Sequence, residues 1–330
     1  MKILVTGGAG YIGSHMVRML VGRGVDVTVI DTLDYGNRKA LPDHVTLIVG
    51  NVGEKGDLGK AFSKGPFDGV IHFAGSISVE ESVKHPSLYM QNNLVRPIAL
   101  LEMMQDTGVK HIIFSSTAAV YGNPLHVPIP ENHPKEPTNP YGLSKFYFEQ
   151  FLRYVDAMGI RSISLRYFNA SGGSSDGKHG EAHLPETHII PLAIAAAMRK
   201  DGVFTLYGNS YPTSDGTCIR DYVHVEDLCT AHIAALEALV SGHKSDVYNV
   251  GTGIGVTNRQ VVACVHEVSG RMIRVVEASR RAGDSHSLIA DSTRIKKELN
   301  WSPQHSDIRE VVESAWLWHS THPNGYDDIS

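Results

Sequence analysis

The stretch VTGGAGYIGS at residues 5–14 ends a short β-branched run and leads into an amphipathic, helix-like pattern. Its glycines fit the spacing G-x-G-x-x-G through Gly8, Gly10 and Gly13, and they fit G-x-x-G-x-x-G equally well from Gly7. Glycine is needed in such a turn because a Cβ atom would hold the backbone away from a pyrophosphate, whose charge the helix N-terminus stabilises. The stretch therefore predicts a dinucleotide-binding turn between the first strand and the first helix.

An acidic residue at the end of the second predicted strand supports this interpretation. Asp31 lies eighteen residues after Gly13, where a carboxylate accepts hydrogen bonds from the adenosine ribose hydroxyls. The same carboxylate would repel a 2′-phosphate, so the sequence favours NAD over NADP even though Arg38 follows nearby. A plain turn with Asp31 capping a loop is the weaker alternative, because strand, glycines, helix and acid all agree.

Six apolar runs alternate with amphipathic stretches through the first half of the chain and predict strands at 2–6, 25–30, 45–49, 69–73, 111–116 and 161–168. Such runs, separated by helical segments, are typical of a parallel sheet covered on both faces. The predicted fold class is therefore α/β, with a doubly wound, Rossmann-like parallel sheet. The looser pattern beyond it predicts a smaller mixed α/β C-terminal lobe, with helices near 190–200, 226–241, 257–269 and 306–320.

The length of 330 residues exceeds what a single core usually supports, so we expect two parts. Residues 1–168 are predicted to form the nucleotide-binding domain, with a return segment near 220–250. Residues 169–330 are predicted to form mainly a substrate-binding lobe.

Composition excludes several classes of function. The formal net charge of −5 argues against binding to nucleic acid or to a membrane surface. The N-terminal residues do not resemble a signal peptide, and no run of apolar residues is long enough to span a membrane. The three cysteines lack any C-x-x-C pairing, which predicts reduced thiols and a cytoplasmic location.

A tyrosine and a lysine lie four residues apart in TNPYGLSKFYFEQ, residues 138–150, where Pro140 predicts a helix start. A tyrosine has a pKa of about 10, so Tyr141 is a poor base unless a cation such as Lys145 stabilises its phenolate. The pair is common on helices by chance. Here it follows a nucleotide site and the hydroxyl-bearing stretch FSSTAAVYG at 114–122, so we interpret it as a candidate catalytic couple.

Several motifs together carry a family resemblance. GGAGYIG, HFAG (72–75), NN (92–93), SSTAAVYG, PYGLSK and RYFN (166–169) resemble the extended short-chain dehydrogenase/reductases. The segments at 207–225, YNVGTG (248–253) and RRAGDS (280–285) resemble the UDP-hexose 4-epimerase branch of that family. The resemblance implies an isomerase that inverts C4 of UDP-galactose or UDP-glucose through a 4-keto intermediate, with NAD recycled in every turnover.

The resemblance also implies roles for three residues. Tyr141 would be the base that takes the proton of the sugar 4-OH, and Lys145 would lower the tyrosine pKa and bind the nicotinamide ribose. Thr117 replaces the usual serine and keeps a hydroxyl that can bridge the sugar oxygen and Tyr141. Ala118 and Ala119 occupy positions where related dehydratases carry acidic residues, so dehydration is not expected.

The remaining contacts are implied by the same family comparison. The cofactor contacts would be Gly7, Gly10, Tyr11, Ile12, Gly13, Asp31, Asn51, Val52, Phe73, Ala74, Gly75, Asn92, Lys145 and Phe168. The substrate contacts would be Thr117, Tyr141, Asn169, His188, Ile189, Tyr207, Arg220, Arg281, Asp284 and Leu288. Arginine suits a diphosphate because its guanidinium donates two parallel hydrogen bonds. The family comparison further implies a homodimer formed by helices near 92–107 and 144–157.

Some positions depart from the family pattern and leave alternatives open. Asn51 stands where an acidic residue often contacts adenine, and Ile77 replaces a common lysine, so the tightness of NAD binding is open. Leu288 is intermediate in size at the sugar-pocket gate implied by the resemblance, which keeps a UDP-N-acetylhexosamine as an alternative substrate, and a UDP-pentose is a further alternative. A catalytically silent, NAD-responsive regulator is the rival from another class.

The histidines of this chain raise the question of a metal site. His179, His183 and His188 lie in a Gly-rich segment, and we expect them to be scattered surface histidines without acidic partners. No metal is predicted.

Overall fold

The computed structural model describes residues 1–281 and 284–328. Its strands are β1 (Lys2–Thr6), β2 (Asp26–Asp31), β3 (Thr46–Val49), β4 (Gly69–His72), β5 (His111–Thr117), β6 (Arg161–Tyr167), β7 (Asn169–Ser171), β8 (Val203–Tyr207), β9 (Ile219–Arg220), β10 (Tyr222–His224), β11 (Asp246–Val250), β12 (Val256–Thr257), β13 (Arg274–Ala278) and β14 (Ser287–Leu288). Its α-helices are α1 (Tyr11–Gly22), α2 (Lys55–Phe62), α3 (Val79–Lys84), α4 (Pro86–Met90), α5 (Arg96–Thr107), α6 (Pro140–Leu152), α7 (Ile189–Met198), α8 (Val225–Val240), α9 (Asn258–Ser269), α10 (Thr293–Glu298) and α11 (Ile308–Thr321).

Seven of the strands form one sheet in the order β11-β6-β5-β4-β1-β2-β3, and every neighbouring pair in it is parallel. The six strands predicted from the apolar runs are all present in it, so the predicted fold class is confirmed. The seventh strand, β11, comes from residues far along the chain and pairs with β6. The strand order reverses between β1 and β4, and ligands of such sheets bind at the carboxyl edge of that switch point.

Both faces of the sheet are buried, which explains the continuous apolar runs. Successive residues of a strand point to opposite faces, so Ile3 and Val5 belong to one core while Leu4 belongs to the other. Helices α1 and α8 cover the first face with side chains such as Met16 and Leu228. Helices α2, α5 and α6 cover the second face. The cofactor edge is thereby held between two rigid layers.

The later part of the chain builds a third core, mainly from helices α7, α9 and α11. Short paired strands lie beside it, in the arrangements β13-β8, β12-β9-β14 and β10-β7. The helices predicted near 190–200, 226–241, 257–269 and 306–320 correspond to α7, α8, α9 and α11. Across the described ranges 1–281 and 284–328, no helix has the length and apolar character that crossing a membrane requires.

Candidate active site

The glycine turn lies between β1 and α1, at the switch point of the sheet. Gly7 has φ +68°, and a Cβ atom on it would lie 2.6 Å from the amide nitrogen of Ala74. A Cβ atom on Gly13 would lie 2.1 Å from the carbonyl oxygen of Gly7. Gly10 is the N-cap of α1, and no side chain caps this helix end. The turn therefore leaves a side-chain-free cradle at a helix N-terminus, which fits a pyrophosphate.

Asp31 ends β2 beside this cradle. Its two carboxylate oxygens accept hydrogen bonds from the backbone amides of Ala9, over 2.9 Å, and Leu33, over 2.8 Å. Burial raises the pKa of Asp31, and these two hydrogen bonds oppose that effect. Each oxygen keeps a lone pair, so the oriented carboxylate can accept hydrogen bonds from ribose hydroxyls. The geometry fits the predicted adenosine contact.

The structure brings the other predicted cofactor residues to the same edge. Asn51 and Val52 follow β3, Phe73–Gly75 follow β4, Asn92 lies in the π-helical turn Gln91–Val95, and Phe168 follows β6. Several of the predicted cofactor contacts already use polar atoms within the chain, and Asn92, for example, donates to the hydroxyl of Ser76 over 2.8 Å. The side-chain oxygen of Asn51 accepts a hydrogen bond from the backbone amide of Gly53, and the hydroxyl of Tyr11 donates to the carbonyl oxygen of Gly172.

Asn93, which was not among the predicted contacts, holds this edge together. Its buried side chain accepts a hydrogen bond from the backbone amide of Ser76 and donates to the hydroxyl of Ser144 in α6, over 2.8 and 3.1 Å. It thereby ties the segment after β4 to the helix of the tyrosine and lysine. The pair of asparagines at 92–93 is the sequence signal for it, but the sequence predicts a contact only for Asn92.

The Pro-rich segment at 123–140 leads directly into α6, and Tyr141 is the second residue of this helix. The side chain of Asn139 caps this helix by accepting a hydrogen bond from the amide of Gly142, and Pro140 is its first residue. Thr117, the last residue of β5, faces the tyrosine. Burial raises the pKa of Tyr141, and a hydrogen bond with the side chain of Thr117 lowers it.

Lys145 is buried one turn further along α6. Its ammonium group donates to the carbonyl oxygen of Ser115 over 2.9 Å and lies 5.0 Å from the ring centre of Phe114. Burial lowers the pKa of Lys145 to about 8, while the carboxylate of Glu149 opposes that shift. The side chains of Thr117, Tyr141 and Lys145 therefore come from the end of one strand and one helix beside the glycine turn.

A buried charge network behind the lysine was not predicted. Glu149 forms an ion pair with Arg166 over 2.5 Å and accepts a hydrogen bond from the hydroxyl of Ser116. Arg166 also donates to the hydroxyl of Tyr121, which donates in turn to the side chain of Asn249. The spacing of four residues between Lys145 and Glu149 was a usable signal, because it places both on one helix face.

The predicted diphosphate ligand Arg220 lies in β9, opposite Leu288 of β14. Its guanidinium donates to the carbonyl oxygens of Ile219 and Ser285, both over 2.9 Å, and lies 3.9 Å from a carboxylate oxygen of Asp284. Three predicted substrate residues therefore meet here. The orientation of Arg220 is fixed by backbone acceptors, which leaves the remaining N–H groups for a ligand.

A second predicted arginine stacks on an aromatic ring. The guanidinium carbon of Arg281 lies 4.1 Å from the ring centre of Tyr207, the last residue of β8. The contact joins two predicted substrate residues from distant parts of the sequence. Ala282 and Gly283 of the RRAGDS motif lie outside the described residues.

Asp221 was missed by the sequence analysis. It is fully buried, and its carboxylate accepts hydrogen bonds from the amides of Thr252, Gly253 and Ala290. It therefore positions the segment that carries Arg220.

His188, Ile189 and Asn169 line one small cleft together with Tyr222. His188 is the N-cap residue of α7, and Asn169 begins β7. The predicted sugar-nucleotide contacts at these positions are thus brought together between two elements of the second lobe.

The expectation of scattered surface histidines without acidic partners is wrong for His183 and His188. Both contact one oxygen of the buried Glu181, at 3.0 and 2.5 Å, and both lie within 4 Å of Glu186. The Glu181 carboxylate raises the pKa of His188 to about 9. The spacing of these residues did not indicate their contact with Glu181, because the contact depends on how the chain folds back between positions 181 and 188.

The glycine cradle, the carboxylate of Asp31 and the buried tyrosine and lysine at one sheet edge define the class of protein. It is a dinucleotide-dependent enzyme of the short-chain dehydrogenase/reductase type.

Comparison with known proteins narrows this class. The sequence profile of the NAD dependent epimerase/dehydratase family matches residues 3–251. The UDP-glucose 4-epimerase of Lactobacillus helveticus is 46% identical over 329 residues, covering 99% of this chain and 100% of that protein. The chain belongs to the NAD dependent epimerase/dehydratase family.

Solved structures give the same result. A crystal structure of a UDP-glucose 4-epimerase aligns with a TM-score of 0.95 at 41% identity, covering 99% of both chains. The UDP-glucose 4-epimerase of Bifidobacterium longum in complex with NAD⁺ and UDP aligns with a TM-score of 0.92 at 35% identity, covering 98% of this chain and 100% of that one. The predicted family, epimerase class and NAD cofactor are thereby confirmed.

Proposed function

We propose that this chain is an NAD-dependent epimerase that inverts C4 of a UDP-hexose, interconverting UDP-galactose and UDP-glucose. The observation that carries the proposal is the meeting of Thr117, Tyr141 and Lys145 beside the glycine cradle. NAD⁺ bound at this edge would supply a hydride acceptor that gives the hydride back within the same turnover. The similarity to UDP-glucose 4-epimerases over nearly the full chain supports the same reaction.

Tyr141 is the base in this mechanism. It takes the proton of the sugar 4-OH as the hydrogen on C4 leaves with its electron pair, which gives a 4-keto sugar. Thr117 bridges the sugar oxygen and the phenol, and its hydrogen bond lowers the pKa of a tyrosine that burial otherwise raises. After the keto sugar turns its other face to the cofactor, Tyr141 returns the proton to the alkoxide oxygen as C4 regains hydride.

Lys145 and Glu149 support the base from behind. The buried ammonium group adds positive charge close to the reacting groups, and its bond to the Ser115 carbonyl fixes its position. The carboxylate of Glu149 forms an ion pair with Arg166, and its negative charge also favours the charged form of Lys145. The tyrosine therefore works in a site whose charges are already oriented.

The substrate lobe supplies the specificity. We assign Arg220 and Arg281 to the diphosphate, because both guanidinium groups are oriented by neighbours and carry free donor capacity. Asn169, His188 and Ile189 are assigned to the sugar nucleotide at their shared cleft. Leu288 opposite Arg220 is assigned as the gate of the sugar pocket, and its intermediate size keeps a UDP-N-acetylhexosamine as the second candidate substrate.

The proposal is tested by incubating the purified chain separately with UDP-galactose, UDP-N-acetylgalactosamine and UDP-arabinose and following inversion at C4 by proton NMR. We expect UDP-galactose to be converted fastest. Faster conversion of one of the other two would assign the alternative substrate. Absence of turnover with all three, in a preparation that binds NAD, would support the silent regulator instead.

We also propose a homodimer. Helices α3 and α4 and the π-helical turn all pack against α6, and exposed apolar side chains lie along them, namely Val83, Leu88, Val95 and Tyr147. Exposed apolar side chains on neighbouring helices are typical of a protein interface. Light scattering coupled to size exclusion should give twice the chain mass, and Tyr147→Glu should shift it toward the monomer. A monomeric wild-type chain would contradict the proposal.

A cytoplasmic location is proposed from the cysteines. Cys218, Cys229 and Cys264 are all free and buried thiols, which suits a reducing compartment. Fractionation of cells that express the chain should place it with cytoplasmic markers.

A further inference from the structure

The segment between β7 and α7 brings together four side chains of metal-binding types, Glu181, His183, Glu186 and His188. One ligand atom of each lies within 4.8 Å of the others. Together they read E-x-H-x-x-E-x-H over eight residues, so all four come from one folded loop. We propose that this cluster is a structural zinc site of the substrate-binding lobe.

The distances suit a four-coordinate ion. Zinc bonds to nitrogen and oxygen ligands measure about 2.0–2.2 Å, so the ligand atoms of a tetrahedral site lie about 3.3–3.6 Å apart. The nitrogen Nε2 of His183 lies 3.0 Å from Glu181 and 3.8 Å from Glu186, and Nδ1 of His188 lies 3.6 Å from Glu186. A fourth contact, 2.5 Å between His188 and Glu181, is a hydrogen bond that must lengthen by about 1 Å when an ion is bound.

Hydrogen bonds made by His183 and Glu186 outside the cluster also favour metal binding. Nδ1 of His183 lies 3.2 Å from the carbonyl oxygen of Pro185, to which it can donate its proton. That bond leaves the lone pair of Nε2 directed at the cluster, as in zinc sites where a ligating histidine donates its other N–H to a carbonyl. Oε1 of Glu186 accepts hydrogen bonds from the amides of Thr187 and His188, both over 2.7 Å, so the backbone orients this carboxylate and its other oxygen, Oε2, is the one that would bind the ion. These bonds orient two of the four ligands before any ion binds.

The charges favour a divalent cation. The side chain of Glu181 is only 4% exposed, and a buried carboxylate requires a compensating charge. Two carboxylates and two neutral imidazoles carry a charge of −2, which one Zn²⁺ cancels. Imidazole ligands select zinc over magnesium or calcium, which prefer oxygen ligands alone. The alternative is an ion-pair cluster with protonated histidines and no metal.

The position of the cluster, between α11 and the cleft beside α7, suggests a structural role. The Trp318 indole donates to the carbonyl oxygen of Glu181 over 3.0 Å, which fastens the loop to α11. At the other end His188 caps α7 and lines the cleft with Asn169 and Tyr222. A bound zinc ion would therefore fix one wall of the substrate cleft. This effect on substrate binding rests on the proposed function, but the binding of zinc does not.

The test uses the untagged full-length chain, expressed with added zinc and dialysed against metal-free buffer. Metal content is measured by mass spectrometry for wild type, His183→Gln, Glu186→Gln and the control His305→Gln. His305 belongs to a separate His/Glu cluster with His224 and Glu226. We expect about one zinc ion per chain in wild type and His305→Gln, and zinc binding weakened by more than about tenfold in the two cluster variants.

A second measurement does not depend on the variants folding. Wild type stripped of metal by a chelator is titrated with Co²⁺, which should give the intense visible absorption of a tetrahedral site at one equivalent. The proposal would be overturned if wild-type protein contained no zinc and also gave no cobalt spectrum. It would also be overturned if His183→Gln contained as much zinc as wild type. Zinc occupancy is read without substrate, so a failed metal site and a failed epimerase assignment give different results. In the active enzyme, stripping should raise KM for the UDP-sugar and leave bound NAD unchanged.

Discussion

The ammonium group of Lys145 donates a hydrogen bond to the carbonyl oxygen of Ser115 over 2.9 Å. This bond crosses from α6 to β5, so it ties the helix that begins with Pro140 and Tyr141 to the strand that ends with Thr117. The relative position of the Tyr141 phenol, the Thr117 hydroxyl and the Lys145 ammonium group is therefore stabilised by a strand-to-helix contact within the main core.

Tyr141→Phe removes the proposed base without removing the ring. Because Tyr141 is buried and its hydroxyl meets Thr117, we expect turnover of UDP-galactose to fall by about 10²- to 10⁴-fold while bound NAD is retained. Tyr154→Phe, just beyond the end of the same helix and 77% exposed, is the matched control and should keep wild-type activity. Steady-state kinetics and NAD fluorescence measure both. A Tyr141→Phe enzyme with most of its activity would show that another group is the base.

Glu149→Gln leaves the Arg166 guanidinium buried without its anionic partner. The ion pair is almost fully enclosed, and removing one partner of such a pair costs about 3–5 kcal/mol of unfolding free energy. Chemical denaturation should show this loss. Glu80→Gln, which breaks the exposed pair with Lys84, should leave the denaturation midpoint unchanged. Equal midpoints for the two variants would contradict the structural importance of the buried network.

Gly13→Ala tests the cofactor cradle. Its Cβ atom would lie 2.1 Å from the carbonyl oxygen of Gly7, so the turn must open, at a cost of about 1–3 kcal/mol. We expect NAD binding to be lost. Gly22→Ala lies in the same helix with no atom within 4 Å of the new Cβ, so its NAD binding and stability should match or exceed wild type. Isothermal titration with NAD⁺ separates the two, and tight binding by Gly13→Ala would argue against the cradle.

Leu288 is expected to set the size of the sugar pocket. Leu288→Tyr should lower kcat/KM for UDP-N-acetylgalactosamine by about 10- to 200-fold relative to UDP-galactose, and Leu288→Ala should shift the ratio the other way. Measuring both substrates on each variant gives an internal control for general damage to the enzyme. An unchanged ratio in both variants would place the gate elsewhere.

His72 is expected to make stability depend on pH. Burial, together with the charge of Lys145, lowers the pKa of His72 to about 3, below the value of about 6.5 for an exposed histidine. The folded chain therefore binds fewer protons than the unfolded chain between these values, so stability is lost as the pH falls below about 6.5. His72 alone should cost about 2 kcal/mol between pH 6.5 and pH 5.

Melting temperatures across this range measure the effect. His72→Gln should show a shallower decline than wild type, whereas the exposed His44→Gln should decline in parallel with it. Parallel curves for all three proteins would mean that His72 is not the group responsible.

The fold was predictable because its strongest signals are local. Apolar runs such as those at 2–6 and 111–116 must be buried on both faces, and only a parallel sheet covered by helices does this. The strand Asp246–Val250 was harder to place. Its partners in β6 lie 83 positions earlier in the chain, with part of the second lobe between them, so a local pattern can suggest a return segment but does not encode the pairing.

The candidate site divides in the same way. The sequence by itself determined the glycine turn, Asp31 and the couple of Tyr141 and Lys145, because backbone sterics and helix spacing fix these within a few residues. Only the tertiary structure decided what Glu149, Asn93 and Asp221 do, and that Glu181 lies against His183 and His188. The physical reason is that a buried polar group must find its hydrogen-bond partners on the elements that pack around it. Those elements are often distant in the sequence, so spacing along the chain does not show which partners they supply.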